Sequence, residues 1–434
     1  MEYYRSFNTE ALELSRKLPE EQSELYKRHY VPMPLEEFSE KMEEANSDGT
    51  EEKEIAILEK EIAEKLGVKF DAVIGPAFYR INSALMKIVK LEDLTEEHIR
   101  NKLYSSKEDK QVAFIHAHTK RFVYIDVPDS KTASINILFV NTDVPIAAQV
   151  FVKTGSESSL NLFEWYASLS KNKSMLGVLH ELTIGKYSKS EINMLHNENE
   201  NTFVVGFTKG RIRENAELNV NYIYNGGIAT RVKNEINASG FAAKSKVIEL
   251  VIGSGDQKFD INTVVANIDT DTVSDLESKA ALMGNAVCMF KGFANVGENA
   301  SGSRSYVNER GILLDRTAYM NSIPGMSINN ANVKATHSSA TAPVDADSLF
   351  YLMSRGTDEV VARRLLVNGF FAKSLSKINS AIVKAIVSSL IHEKINNRRF
   401  GFVPKLDMSG IWMDQSAPQS GDLFEGHYKY RDVK

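Results

Sequence analysis

Apolar positions follow three regimes along the chain. Up to about residue 105 they recur at helical spacing. After an Asp48-Gly49 turn, Ile55, Leu58, Ile62 and Leu66 step by three or four residues, and Gly67 stands where a helix closes on a left-handed glycine. Pro32, Pro34 and Pro76 divide this zone into several short helices. From about 106 to 340 the period shortens to that of strands. β-Prone runs occupy Phe122–Asp126, Ile135–Val140, Ala148–Val152, Gly177–Leu182, Thr202–Phe207, Leu218–Tyr224, Val247–Ile252, Asn262–Ile268, Ala286–Phe290 and Ile312–Leu314, with Gly, Asn, Ser and Asp between them. A doubly wound sheet needs a crossover helix between most strand pairs, and no helical period separates these runs. A β-solenoid and a large β-sandwich remain.

Past Pro343 the period lengthens again. Asp345–Ser354 reads as a helix that stops at Gly356. A second begins with Thr357 as N-cap and Asp358 and Glu359 in its first turn, with Val361, Leu365 and Leu366 on one side; Gly369 either ends it or lies inside it. A third covers roughly Leu375–Asn396. Its rows Ile378/Ile382/Ile386/Leu390 and Val383/Val387/Ile391 form a wide apolar face, which requires burial against the chain or against a partner. The tail from Gly401 is expected to wrap the surface. The expected domains are 1–105 (mostly helical), 106–342 (β) and 343–434 (helical, with a tail).

Composition narrows the function classes. The 434 residues are 43% hydrophobic and 25% charged, which excludes a disordered chain, and the length predicts two or three domains. A net charge of -5 argues against coating nucleic acid or an anionic membrane. Cys288 is the single cysteine, so neither an internal disulfide nor a four-cysteine metal site can form, and a cytoplasmic location is expected. The first residues lack the apolar core of a signal peptide. The most lipid-like run, residues 381–391, is too short to span a bilayer and contains Lys384.

Several residue groups invite chemistry. Gly297 to Gly302 matches the glycine spacing of a phosphate loop, but Ser303-Arg304 follows where Lys and a hydroxyl are required, so the run reads as a turn. His116 and His118 would share one face of a strand, a chelating pair without further ligands, or polar groups on a wet edge. Asp269, Asp271 and Asp275 could offer oxygens to a hard cation, but read better as a solvated loop. Cys288 between apolar neighbours reads as a small buried hydrophobe. His337 closes the β zone, where a neutral imidazole could ligate iron or relay protons.

The segment from Gly311 to Leu375 closely resembles the SufB/SufD family, the scaffold subunits of SUF iron–sulfur cluster assembly. The resemblance rests on Leu313-Leu314, Ser322-Ile323-Pro324, the run Val333–Thr341 with His337, and Leu349-Phe350-Tyr351-Leu352-Met353-Ser354-Arg355-Gly356; Lys291-Gly292 fits as well. It implies a right-handed parallel β-helix flanked by helical domains. It implies a non-catalytic scaffold that docks the ABC-type ATPase SufC, which would carry ATP hydrolysis. The docking surface expected from it includes Leu349, Phe350, Tyr351, Met353, Arg355, Leu365, Phe370, Ile378, Ile382 and Ile386. His337 matches the family's histidine implicated in cluster assembly, a metal ligand shared with a partner chain. That partner is a SufB-like subunit or a second copy of this chain. The cargo is a transient iron–sulfur cluster; the sequence leaves a flavin in the complex undecided. The stretch Asn308-Glu309-Arg310-Gly311 lacks the cysteine of SufB-type chains, and Thr336 and Ser338 flank His337 where SufB-type chains place a Glu beside it. The chain therefore resembles SufD more, although Ala335 stands where SufD chains often have a cysteine. The alternatives are a purely structural SufC-docking subunit and, remotely, a β-helix enzyme acting on polysaccharide through the three aspartates.

Overall fold

The computed structural model describes residues 2–19, 33–44, 50–93, 103–397, 401 and 403–406. The Asp48-Gly49 turn, Pro32 and most of the tail lie outside them. The described chain is mainly β, a parallel solenoid of about 8 turns with 7 helices in its N- and C-terminal regions. This settles solenoid over sandwich.

Two 10-stranded sheets make the solenoid walls. The first runs β2 (Tyr79–Ile81), β1 (Ala72–Ile74), β5 (Thr132–Asn141), β7 (Ser159–Ser168), β9 (Lys189–His196), β11 (Glu217–Tyr224), β13 (Lys244–Gly253), β15 (Val273–Leu282), β17 (Arg304–Leu313), β20 (Lys334–Pro343). The second runs β18 (Tyr319–Ser322), β16 (Val287–Val296), β14 (Lys258–Asn267), β12 (Ala229–Ala238), β10 (Thr202–Ile212), β8 (Ser174–Ile184), β6 (Ile146–Thr154), β4 (Arg121–Val127), β3 (Met86–Lys90), with β19 (Gly325–Ile328) also on β16. Every long pair is parallel and in register, so each side chain stacks on its counterpart one coil away. Like residues exploit this: Asn221 donates to Asn193 at 2.9 Å, Asn225 to Asn197 at 2.7 Å, and Ser245 to Ser274 at 3.0 Å.

A repeated corner turns each coil. Ser130, Glu157, Tyr187, Asn215, Ala242 and Asp271 have positive φ, and Gly302 continues the series. Each donates its N–H to a carbonyl of the following coil, as from Glu157 to Lys186 O at 2.8 Å and from Asp271 to Ser301 O at 2.8 Å. Interstrand bonding thus holds the left-handed backbone at non-glycine residues, where it costs about 1 kcal/mol each. Two sequence candidates dissolve into this corner. Gly297 to Gly302 is the turn between β16 and β17, and Asp269 and Asp271 belong to the turn one coil earlier, while Asp275 lies on β15.

The helices cover the walls. α1 (Glu2–Lys17), α2 (Leu35–Glu44) and α3 (Thr50–Leu66) precede the solenoid, and α4 (Lys110–His118) enters it. Gly67 ends α3 at φ 68, as the spacing of Ile55 to Leu66 requires. α5 (Ala346–Ser354), α6 (Glu359–Ser376) and α7 (Ala381–Asn397) follow it. Asp345 caps α5 by accepting from Ser348 N at 3.0 Å, and Gly356 follows it at φ 86. Asp358, not Thr357, caps α6, accepting from Val360 N at 2.9 Å. Gly369 lies inside α6. The expected third helix is divided: Leu375 ends in α6 and Ile378 lies in the connection, because Asn379 turns back to hydrogen-bond Glu191 on β9. No described helix is long and apolar enough to cross a membrane.

The wide apolar face of the last helix is spent on the chain itself. Ile378, Val383, Ile386, Val387, Leu390 and Ile391 are buried against Leu195, Ile223, Ile248, Leu250 and Ile252 on the outer face of the first sheet, and Ile382 packs beside them. Phe370 is half-buried in the same cluster. The expectation that Ile378, Ile382 and Ile386 face a partner is therefore corrected: both apolar rows of the helix meet its own solenoid.

Candidate functional site at the open end of the solenoid

The two ends of the solenoid differ. At the start, short antiparallel strands close both sheets, β2 on β1 and β3 on β4. At the finish, the first sheet stops at a ten-residue edge strand, β20. An edge this long leaves one side of its backbone unpaired.

Register defines what that end displays. Val220, Val247, Leu276 and Val307 form one inward column, and His337 is its last member. The four apolar residues are fully or nearly fully buried, whereas His337 is exposed because no described coil covers it. The adjacent column runs Tyr222, Glu249, Ser278, Glu309, Ser339. Ser339 is exposed like His337, and Glu309 is buried one coil below.

Two donors anchor the Glu309 carboxylate, and a third supports one of them. Gly292 on β16 donates its N–H to Oε1 at 2.6 Å, and the Ser322 hydroxyl donates to Oε2. Ser339 in turn donates to Ser322 at 2.7 Å. Gly292 is there for space: a Cβ would lie 2.5 Å from Glu309 Oε1 and 2.9 Å from Val307. Burial pushes the Glu309 acid up, opposed by Ser322, Gly292 and the nearby His337. Gly292→Ala should therefore displace the carboxylate and cost roughly 1–3 kcal/mol, read as a fall in denaturation midpoint.

The outward residues form a second layer. Ser338 donates to Asn308 Oδ1 at 3.1 Å, and Arg310 Nε does so at 3.2 Å. The end thus offers one imidazole, a hydroxyl pair and a buried carboxylate. Among the described residues no three His, Cys, Asp or Glu converge to hold a metal ion. One imidazole cannot retain a soft iron site, so any such site here needs donors from elsewhere.

Other candidates are placed differently. His116 and His118 lie on α4, not on a strand, so two-residue spacing points them apart. Buried His116 contacts Ser106 at 2.8 Å; His118 contacts Phe114 O at 2.9 Å and Ser39 at 2.7 Å. Cys288 is fully buried in the solenoid core, and burial pushes its thiol well up. A second exposed feature follows β20 directly. Helix α5 carries Leu349-Phe350-Tyr351-Leu352-Met353 and buries none of its residues. Phe350 is 73% exposed and Tyr351 56%, with the Arg355 guanidinium 5.2 Å from the Tyr351 ring. Leu365 on α6 is also exposed.

Glu309, Ser322 and Ser339 were not singled out as a group from the sequence. The signal was available: His337 follows Val307 by one coil, and Ser339 follows Glu309 by the same interval.

Comparison with known proteins identifies the family. Residues 138–370, more than half of the chain, match the family model described as "SUF system FeS cluster assembly, SufBD core domain". An iron–sulfur cluster assembly SufBD family protein of Mycobacterium bovis is 24% identical over 343 residues, covering 76% of this chain and 75% of that protein. Another from Mycobacterium leprae is 30% identical over 177 residues, 39% of this chain and 45% of that protein. A third, also from Mycobacterium bovis, is 26% identical over 207 residues, and that match spans only 24% of its length.

Proposed function

This chain belongs to the SufBD family of iron–sulfur cluster assembly proteins, and we propose that it acts there as a SufD-like, non-catalytic scaffold whose open solenoid end completes an assembly site with a partner chain. The observation that carries this reading is the last inward column position, His337, standing exposed on a ten-residue strand at the edge of the first sheet. A second solenoid end can continue the sheet along β20 and bring its own side chains over His337. The nascent cluster is the cargo. His337 offers it one imidazole nitrogen; thiolate donors come from a SufB-like partner, since the one cysteine here is sealed in the core.

The motor, in this reading, is a SufC-type ATPase gripping α5. The helix carries five consecutive apolar residues of which none is buried and Phe350, Tyr351 and Met353 are exposed, an arrangement that water disfavours by about 25 cal/mol per Å² of exposed apolar surface. Phe350, Tyr351, Met353, Arg355 and Leu365 are the docking residues that remain exposed. Ile378, Ile382 and Ile386 are not among them.

Two substitutions separate the parts. In the reconstituted complex, His337→Ala should cut the yield of assembled cluster severalfold while ATPase capture is unchanged; an undiminished yield would leave a purely structural docking subunit. Phe350→Glu should abolish capture with an unchanged melting temperature, because α5 contributes no buried residue; retained capture refutes α5 as the docking element.

A further inference from the structure

Behind the open end the solenoid interior holds a second acid that the proposed function does not use. Glu249 is buried on β13, two coils below Glu309 in the same inward column. Its hydrogen-bond partners are neutral donors from three strands. Ser278 on β15 donates to Oε2 at 2.6 Å, Thr263 on β14 donates to Oε1, and Asn234 on β12 donates to Oε1 at 3.3 Å. The other titratable groups turned toward it are Tyr222 and Tyr224 on β11, Cys288 on β16 and Glu309 on β17. Each of these is neutral or negative. Among the described residues this carboxyl has no cation as a hydrogen-bond partner, and such an enclosure favours its neutral form.

We infer that Glu249 is a proton-holding site coupled to the charge at the open end. When that end is anionic, Glu249 keeps its proton; when positive charge arrives there, the O–H bond breaks and the proton passes to solvent. The coupling runs through Glu309, whose negative charge opposes a second one on Glu249 across a low-dielectric interior. Burial, with a smaller push from Glu309, outweighs the hydrogen bonds of Ser278, Thr263 and Asn234 and places the midpoint at about 7. The consequence for cluster assembly rests on the function proposed above, since iron is the positive charge expected at that end; the proton site itself does not.

Infrared difference spectroscopy of the isolated full chain separates the two. The carbonyl stretch of a protonated carboxylic acid, identified by its H/D shift, should titrate with a midpoint of about 7 and vanish in Glu249→Gln. In Glu309→Gln the midpoint should move to lower pH, because the like charge is gone. In Ser339→Lys, an exposed substitution three coils from Glu249, it should move the same way. An acid band that persists in Glu249→Gln overturns the assignment of the site. A midpoint unmoved in both other variants overturns the coupling. None of these readings requires a cluster, a partner or ATP.

Discussion

Ile386→Glu destabilises this protein by about 4 kcal/mol or more, and circular dichroism reports lost structure before any binding assay is informative. The side chain is fully buried where α7 lies on the first sheet. Removing it forfeits roughly 2–3 kcal/mol of apolar burial, and a glutamate carboxylate would have to be desolvated in the same place. Neighbouring polar contacts show how closed that seam is. Lys394 of α7 is buried, with Nζ donating to the carbonyls of Asn225 and Ile252, and burial holds its ammonium well below the usual lysine range. Glu277 of β15 takes Ser374 at 2.6 Å and Lys377 at 2.5 Å. The measurement is the denaturant midpoint of Ile386→Glu against Phe350→Glu. The two differ by one apolar-to-acid change each, yet only the first should fall, and a soluble Ile386→Glu with native midpoint would mean that α7 is not docked on the sheet.

Glu249→Gln has the opposite sign, and its effect opens as pH rises above 4.5. The Glu249 acid is raised from 4.5 to about 7 in the folded chain, chiefly by burial. Below pH 4.5 both states carry the proton, and its contribution to stability is complete. As pH rises from 4.5 to 7 the unfolded chain ionises first, so native stability is lost progressively across that window. Above pH 7 the loss levels off at about 3 kcal/mol, from a shift of roughly 2.5 units at 1.36 kcal/mol each. Glutamine keeps an oxygen for Ser278 or Thr263 and carries no charge. The variant should therefore match the parent at pH 4.5 and exceed it by up to about 3 kcal/mol at pH 8, read from denaturation midpoints at the two pH values. Glu277 runs the other way: burial would raise it, but Lys377, Ser374 and Lys279 outweigh that and hold it at about 2. Its contribution is present above pH 4.5 and lost as pH falls through 2, outside the window in which Glu249 acts. Equal stability of Glu249→Gln and parent at pH 8 would show that this carboxyl is not raised.

Several strands read in advance have central residues that are apolar on both faces, such as Ile135–Val140 and Val247–Ile252, whose outward residues lie under helices. β7, β9, β12, β15 and β20 lie outside those runs; in β9, β12, β15 and β20 the outward positions are largely polar, and β20, which reads KATHSSATAP, has no described neighbour on one side. In a solenoid a strand's inward residues need only match the coil beside them, so Asn, Ser and Thr can stack where isolated propensity would disfavour them. The same freedom hid His116 and His118. Alternation across Phe114–His118 fits a strand, but Asp109 accepts from Gln111 N and starts a helix instead.

What the chain determined by itself is the helix from Thr50 to Leu66 with its glycine stop and the family motif that ends in Arg355-Gly356. These follow from local spacing and residue identity, which need no knowledge of distant partners. Tertiary structure decided three things that depend on stacking over about 30 residues. It set the column that ends in His337, placed Glu309 and Glu249 beneath it, and decided which of two apolar helical faces is covered. Both faces satisfy the same hydrophobic pattern; only the outer wall of the first sheet, assembled from several separate coils, distinguishes the one it buries from the one it leaves in water.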